Sequence, residues 1–274
     1  MSVPKMHSGG IGQYNRMLQA PLYEKISDIL GSTGTIIPIK DQIESGLFRP
    51  SSTVPALDPT YVGGDPTTWA TPFSFNDPDS YKGYIPKFTF DGSSESFSFP
   101  DNGYWTRAEG SKPFSIGVWV NVPSGFSGLI ISKRNSGANE WHFSINANDT
   151  LQVWLYDEST NVAASYTSDA AIPTDQWVFL VVTYDSTGGA SAMSDANSPL
   201  YVNGSVVAGT PANDGSYVGM EDKSGAVKVG GEATNSTFQG DMAGGALGLF
   251  FVHTELSAAQ ITHLYRLGRQ ALEL

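Results

Sequence analysis

The chain has 274 residues and a formal net charge of −12, because 27 acidic side chains outnumber 15 basic ones. Nucleic-acid binding needs clustered Lys and Arg, so this composition argues against DNA or RNA as a partner. The longest apolar runs reach about six residues, against about 20 for a membrane-spanning helix. No cysteine is present, which excludes disulfides and thiolate-bound metals.

The first 20 residues are polar and glycine-rich and show no steady hydrophobic period. We expect an N-terminal arm that is poorly ordered by itself, with Tyr14, Met17 and Leu18 as candidates for anchoring it to a larger particle. Residues 22–30 then repeat apolar side chains at helical spacing and are followed by a glycine, which predicts a short helix.

The segment that follows is irregular. Residues 35–39 form a β-branched run whose proline favours an edge strand, and residues 45–80 are rich in proline. A structureless segment of that length is unusual inside a compact domain, so we expect it to pack as a long covering loop. The predicted division is an arm with a short helix over 1–30 and one domain over 31–274 that includes this loop.

From about residue 84 onward, short apolar runs with period-2 alternation recur between Gly, Asn, Asp and Ser. This pattern predicts an all-β fold, an antiparallel two-sheet β-sandwich of the jelly-roll kind. A helical pattern over 254–268, with Thr254 as its N-cap, predicts a closing C-terminal helix. The predicted strands cover 87–90, 95–99, 114–122, 127–132, 141–146, 151–156, 177–184, 199–207, 226–230 and 246–252.

Two aromatic side chains share one side of the predicted strand 151–156. Trp154 and Tyr156 alternate with the apolar residues of that strand, so they either form a surface platform for a sugar ring or lie in a covered core. Trp105, in the glycine-rich turn 101–110, is a second candidate for carbohydrate binding.

Four segments, in order, resemble the concanavalin A-like lectin/glucanase superfamily in its laminin G-like form. They include a Phe-Asp-Gly strand-turn-strand opening, a core strand with a buried Trp, a hairpin that ends in a Tyr-Val-Asn-Gly turn, and a last strand followed by a Leu-Ser helix cap and a helix. The resemblance implies the jelly roll. The four segments cover 88–100, 114–123, 175–185 followed by 200–208, and 238–268.

The same resemblance implies a metal site in some members, because laminin G-like domains often hold one Ca²⁺ through oxygen ligands. Asp91 matches one ligand position. The second falls at Ala243 or Leu247, which have no ligating side chain, and the nearby Asp241 is the candidate to replace it. We therefore expect no required cofactor, with Ca²⁺ as the ion to test.

Catalytic patterns are missing from the sequence. Glucanases of this fold carry Glu-x-Asp-x-x-Glu on one strand, and no such string occurs. The lone carboxylate of most interest is Glu140, for which the pattern favours a solvated turn before a strand. The four histidines lack zinc-ligand spacing. The sequence therefore predicts a protein that is not an enzyme.

Residues 22–41 resemble the segment that precedes this domain in tailed-phage structural proteins. The first hypothesis is thus a non-catalytic virion component, a capsid-decoration, fibre or tail protein that binds other virion proteins through its arm. The alternative is a glycan-binding module for host-surface polysaccharide, and a polysaccharide-degrading enzyme is less favoured. Self-association into a homo-oligomer is a further expectation.

Overall fold

The computed structural model describes residues 22, 24–36, 60–62, 87–93, 96–107, 112–232, 235–244 and 247–272. The predicted anchor residues Tyr14, Met17 and Leu18, and all of the proline-rich segment except residues 60–62, lie outside the described residues. No helix within the described ranges is both long and apolar enough to cross a bilayer.

Strands dominate the described part of the chain, with helix α1 over 24–30, a 3-10 turn at Gly189–Ser191 and helix α2 at Ala258–Leu272. In chain order the strands are β1 (Thr35–Ile36), β2 (Thr60–Val62), β3 (Lys87–Asp91), β4 (Ser96–Phe99), β5 (Phe114–Asn121), β6 (Gly128–Lys133), β7 (Trp141–Ile145), β8 (Thr150–Asp157), β9 (Val162–Ala171), β10 (Val178–Tyr184), β11 (Leu200–Val202), β12 (Ser205–Val207), β13 (Gly209–Asn213), β14 (Val227–Val229), β15 (Gly231–Glu232), β16 (Asn235–Ser236), β17 (Gln239–Ala243) and β18 (Phe250–Val252).

The strands form two large antiparallel sheets. Sheet one has the order β1-β18-β5-β10-β11-β12, and β17 pairs with both β3 and β5. Sheet two has the order β13-β9-β8-β7-β6-β14-β4-β2, and β15 and β16 form a separate ribbon. The two layers stack as a sandwich, which confirms the predicted fold class, including both helices.

The main core lies between the sheets and follows from the alternation in the sequence. On β5, Phe114, Ile116, Val118 and Val120 are fully buried in this core. Because successive side chains of a strand point to opposite faces, Trp119 projects the other way.

A second apolar cluster covers the outer face of sheet one. Trp119 joins Ile26 of α1 and Leu264 of α2 there, so the two helices pack on this sheet. The ring of Tyr265 stacks on that of Trp119 with centroids 5.6 Å apart. The amphipathic faces of both helices are thereby buried against one side of the sandwich.

Helix α2 differs in its limits from the predicted helix. It begins after Ser257 rather than Thr254, because Ser257 and Gln260 form a capping box: the Ser257 N–H donates to Gln260 Oε1 at 3.0 Å and the Gln260 N–H donates to Ser257 Oγ at 3.4 Å. It also continues past Gly268, which the pattern assigned as the end. At Gly268 the helix backbone lies against the Trp119 ring of sheet one, since a Cβ there would lie 2.3 Å from Trp119 Nε1.

Candidate functional site

The outer face of sheet two carries an aromatic cluster. Along β8 the buried residues Leu151, Val153 and Leu155 point into the core, and Trp154 and Tyr156 point outward and remain half-buried. The structure thus places both predicted residues on a surface, and the alternative of a core position for Trp154 is wrong.

A histidine from the neighbouring strand completes the cluster, which we call the aromatic face (His142, Trp154 and Tyr156). His142 of β7 lies directly opposite Trp154 of β8 in the sheet register. The two rings stack with centroids 5.9 Å apart, and the Trp154 and Tyr156 rings are nearly parallel at 19° and 6.1 Å. The Tyr156 hydroxyl is 3.1 Å from His142 Nδ1, within hydrogen-bonding distance. Three rings thus share one surface.

Polar side chains border the aromatic face along the same strands. Gln152 lies two residues before Trp154 on the same side of β8, and its Nε2 donates to Thr167 Oγ1 of β9 at 2.8 Å. Ser144 lies opposite Gln152 on β7, and Ser165 lies opposite Trp154 on β9. Amides and hydroxyls next to stacked rings are the groups that orient a polar ligand.

An ion pair lies next to Tyr156, at one end of the aromatic face. Arg134 Nη1 is 3.3 Å from Glu232 Oε2, and the Arg134 guanidinium carbon lies 5.7 Å from the centre of the Tyr156 ring. The guanidinium is thus held by a carboxylate and by the electron-rich face of an aromatic ring. The two charges largely cancel at this edge.

The aromatic face carries no net charge of its own near neutral pH. Burial, together with the nearby charge of Arg134, lowers the pKa of His142 to about 3, so its imidazole is neutral. Burial raises the pKa of Tyr156 to about 12, so its hydroxyl keeps its proton. The face can therefore donate and accept hydrogen bonds without ionising.

Behind this surface, a buried ion pair anchors the start of β7. Lys133 Nζ contacts Glu140 Oε1, Asp101 Oδ1 at 2.9 Å and the carbonyl of Lys223, and the Lys223 N–H donates to Glu140 Oε1 at 2.8 Å. Both Lys133 and Glu140 are fully buried. The interpretation of Glu140 as a solvated turn residue is therefore wrong. Burial raises the pKa of Glu140 to about 7.

The carboxylates near Tyr156 are already engaged. Besides burial, the negative charges of Glu232 and Glu158 also raise the pKa of the Tyr156 hydroxyl. Glu232 pairs with Arg134, and Glu158 Oε1 accepts a hydrogen bond from the backbone N–H of Asn139 at 3.1 Å. Each of these two carboxylates therefore has a partner in the structure.

Trp105, the third predicted carbohydrate-binding residue, belongs to the core. Its side chain is 0 % exposed and packs on Phe99 and Phe251, with ring centroids 5.4 and 5.3 Å away. Its carbonyl also accepts a hydrogen bond from Trp141 Nε1 at 3.2 Å. A fully enclosed ring cannot stack on a ligand, so the prediction for Trp105 is corrected.

The two candidate metal ligands lie on paired strands. Asp91 ends β3 opposite Gln239, and Asp241 of β17 lies opposite Thr89. Asp91 Oδ1 accepts from the Ser93 N–H at 2.7 Å, and Asp241 Oδ1 accepts from Thr89 Oγ1 at 2.6 Å. Over the described ranges, no three His, Asp or Glu side chains come together as a metal-binding group.

Sequence reasoning missed His142, Gln152 and Arg134. The signal for the first was present, because 141–146 alternates apolar and polar residues just as 151–156 does, which puts His142 on the outer side of its strand. Arg134 and Glu232 come from distant parts of the chain, and no local pattern joins them.

Comparison with known proteins identifies the family of this chain. A family model described as the concanavalin A-like lectin/glucanases superfamily matches residues 91–261, and the chain belongs to that superfamily. A search of curated protein sequences finds no significant match.

Solved structures with some similarity include the binding domains of botulinum neurotoxins and of a mosquitocidal protein. The botulinum neurotoxin serotype D binding domain matches at 17% identity and TM-score 0.49, covering 77% of this chain and 46% of that one. The serotype G binding domain matches at 17% and 0.49, covering 66% and 42%. The binding domain of Paraclostridial Mosquitocidal Protein 1 matches at 13% and 0.46, covering 75% and 51%. The chain thus spans about half or less of these proteins.

Proposed function

We propose that this protein is a non-catalytic glycan-binding module and that the aromatic face is its binding surface. The observation that carries the proposal is the pair of half-buried, nearly parallel rings of Trp154 and Tyr156 on the outer face of sheet two. The apolar C–H side of a sugar ring packs on such rings, and its hydroxyl groups need directional partners such as the amide of Gln152.

The electrostatics favour a neutral sugar at this surface. His142 and Tyr156 are uncharged near neutral pH, and Arg134 is paired with Glu232. A charged ligand group would have to compete with that ion pair for the guanidinium. We therefore expect neutral hexose units of a surface polysaccharide to be the preferred ligands.

The same contacts support a binding role rather than hydrolysis. Glycoside hydrolysis needs two carboxyl groups across the scissile bond, one of them ready to give up a proton. Glu232 and Glu158 are held by Arg134 and Asn139, and Glu140 is fully buried beneath the sheet. A surface of aromatic rings and amide groups is suited to binding a sugar without hydrolysing it.

A glycan array with matched variants tests this proposal. We expect the wild-type protein to bind a set of neutral glycans, and Trp154→Ala and Tyr156→Ala to lose that binding. Trp177→Ala is the control, because Trp177 is also half-buried but packs against the second apolar cluster on sheet one. Thermal unfolding verifies that each variant is folded. Retained binding by Trp154→Ala, or no bound glycan on a broad array, would contradict the proposal.

We further propose that the module is carried on a tailed-phage particle and that residues 1–20 attach it. The resemblance of residues 22–41 to the segment that precedes this domain in tailed-phage structural proteins supports this proposal. The position of residues 24–36 supports it as well, because Ile26, Leu30 and Ile36 pack in the cluster on the outer face of sheet one and β1 pairs with β18. Residues 24–36 and the aromatic face therefore lie on opposite sides of the sandwich, so attachment through one side leaves the other accessible.

Deletion of residues 1–20 tests the attachment. We expect the shortened protein to keep the thermal unfolding temperature and glycan binding of the full chain and to lose its association with purified particles in co-sedimentation. Tyr14, Met17 and Leu18 are the candidate contacts, and changing all three to Ser should reproduce the loss. Undiminished co-sedimentation of the shortened protein would exclude the arm as the anchor.

A further inference from the structure

An amine and two carboxyl groups from separate parts of the chain meet inside sheet two. Lys133 is the last residue of β6, Glu140 comes directly before β7, and Asp101 follows β4 by two residues. Lys133 Nζ contacts Glu140 Oε1 and lies 2.9 Å from Asp101 Oδ1. We call these three residues the lysine triad. An amine held against a carboxyl group in this way has the two reactants of an amide bond already in place.

The lysine of the triad lies on the core side of its sheet. Lys133 is directly opposite Trp141 of β7 and Val227 of β14, and residues opposite each other on antiparallel strands share one face. Both of these neighbours belong to the apolar core between the sheets. Lys133 and Glu140 are themselves fully buried. Such surroundings favour the neutral forms of an amine and a carboxyl group.

Glu140 is suited to accept and return a proton. Its Oε1 accepts a hydrogen bond from the Lys223 N–H at 2.8 Å, whereas its Oε2 is buried and has no hydrogen-bond partner among the described residues. Burial raises the pKa of Glu140 to about 7, and the negative charge of Asp222 acts in the same direction. Glu140 can therefore take a proton from the Lys133 nitrogen that it contacts, which leaves a neutral, nucleophilic amine.

Asp101 differs from the other two members in its exposure. About one third of its side chain (33 %) is accessible to solvent, against 0 % for Lys133. Its carboxyl group thus reaches the buried nitrogen and the protein surface at the same time. A water molecule released from Asp101 has a way out, which favours condensation over the reverse reaction.

We propose that Lys133 Nζ and Asp101 Cγ become joined by an isopeptide bond, which the folded protein forms by itself with Glu140 as the proton carrier. The N–C bond forms and one C–O bond of Asp101 breaks. Two of the three ammonium protons leave Nζ, and the released oxygen takes up two protons and departs as water. Glu140 passes protons from Nζ to that oxygen and ends unchanged, so no oxidant, reductant or cofactor is consumed. The ion pair in the structure is the state before the bond forms.

The bond would link two strands that have no direct pairing. In sheet two, β14 lies between β4 and β6, so a link from Asp101 to Lys133 spans β14 and closes a loop over residues 101–133. A covalent link stabilises a fold mainly by constraining the unfolded chain. We expect a higher melting temperature for the linked protein than for an unlinked variant. This proposal does not depend on glycan binding.

The intact mass of the denatured wild-type protein tests the proposal. We expect it to be lower than the mass calculated from the sequence by about 18 Da, which is one water molecule. Tandem mass spectrometry of a proteolytic digest should then detect a branched peptide that joins the segment containing Asp101 to the segment containing Lys133. Neither measurement requires a ligand.

Variants assign the mass loss to the lysine triad. Asp101→Ala and Lys133→Arg each remove a reactant, and Glu140→Gln removes the proton carrier, so each variant should have its full calculated mass. Asp101→Ala changes a partly exposed side chain and is informative even if the two buried substitutions prevent folding. Lys112→Arg and Asp214→Ala are the matched controls at exposed positions, and both should keep the loss of one water.

Three results would overturn the proposal. The first is a wild-type protein that keeps its full calculated mass after the folded protein has been incubated at neutral pH. The second is a loss of one water that persists in Asp101→Ala. The third is a branched peptide that joins Lys133 to Glu140 in place of Asp101.

Discussion

The Lys133 ammonium group contacts the Glu140 carboxylate in the interior of the protein, and neither residue is exposed to solvent. The same ammonium reaches Asp101 and the Lys223 carbonyl. One buried cation therefore ties together the residues after β4, the start of β7 and the coil before β14. This contact fixes the end of β6 and the start of β7, and β7 carries His142 of the aromatic face.

Loss of the buried cation should destabilise the fold strongly. Lys133→Met leaves the Glu140 carboxylate buried without its partner, and breaking such a pair costs about 3–5 kcal/mol. Arg134→Met, which removes the partly exposed pair with Glu232, should cost about 0–1 kcal/mol. Urea unfolding measures both changes in the free energy of unfolding. Equal losses for the two variants would contradict the assigned role of Lys133.

The buried histidine of the aromatic face should make the protein sensitive to acid. The folded protein lowers the pKa of His142 to about 3, and the unfolded chain has the ordinary value of about 6.5. Between these values the unfolded chain binds the extra proton, so the contribution of His142 to the free energy of unfolding decreases as pH falls through this window, whereas Glu140, whose pKa burial raises to about 7, contributes with the opposite sign. His142→Gln should lose this part of the pH dependence.

Unfolding curves over a pH series measure that difference. His253 contributes with the same sign, because burial lowers its pKa to about 4. A His142→Gln/His253→Gln double variant should therefore have a flatter profile than either single variant. His263→Gln, at an exposed position on α2, is the control. If this control changes the pH profile of the free energy of unfolding as much as His142→Gln does, the explanation is wrong.

The contact between helix α2 and sheet one should not tolerate a methyl group at Gly268. Alanine usually stabilises a helix by about 1 kcal/mol relative to glycine. Here its Cβ would lie 2.3 Å from Trp119 Nε1, and overpacking of this kind costs about 1–3 kcal/mol. We expect Gly268→Ala to lower the melting temperature and to shift the tryptophan fluorescence.

Gly215→Ala is the matched control, because a Cβ at Gly215 meets nothing within 4 Å. Its free energy of unfolding should change by less than about 0.5 kcal/mol. A stabilised Gly268→Ala protein would mean that the helix can move away from Trp119 without loss.

Glycan binding at the aromatic face should be independent of pH between about 5 and about 8. His142 stays neutral and Tyr156 stays protonated throughout, because their pKa values are about 3 and about 12. Affinity for a neutral glycan identified on the array, measured by calorimetry across this range, tests the prediction. A sharp change near pH 6.5 would show that His142 titrates at the surface.

Tyr156→Phe separates stacking from hydrogen bonding at the same surface. It keeps the ring and removes the hydroxyl that lies 3.1 Å from His142 Nδ1. We expect Tyr156→Phe to retain more glycan affinity than Tyr156→Ala, since stacking depends on the ring. Equal losses in the two variants would assign the contribution of Tyr156 to its hydroxyl.

Much of the fold was predictable because local patterns are strong in the core strands. The alternation in β5 and β8 assigned their inward faces correctly, and the Asn203-Gly204 turn has the positive φ values that a tight hairpin requires, 52° and 78°. The longest strand, β9, was missed because its Ala-, Ser- and Thr-rich sequence gives little apolar alternation. In the structure β9 pairs with β8 on one side and with β13 on the other.

The sequence by itself determined the class of fold, the two helices and the side of β8 on which Trp154 and Tyr156 lie. Only the tertiary structure decided how deeply each tryptophan is buried: Trp154 is half-buried on the outer face of sheet two, and Trp105 is enclosed by Phe99, Tyr104 and Phe251. Alternation fixes which side of a strand a residue occupies, but the cover over that side comes from segments far away in the chain. The same long-range packing brings Arg134 to Glu232 and seals Lys133 against Glu140.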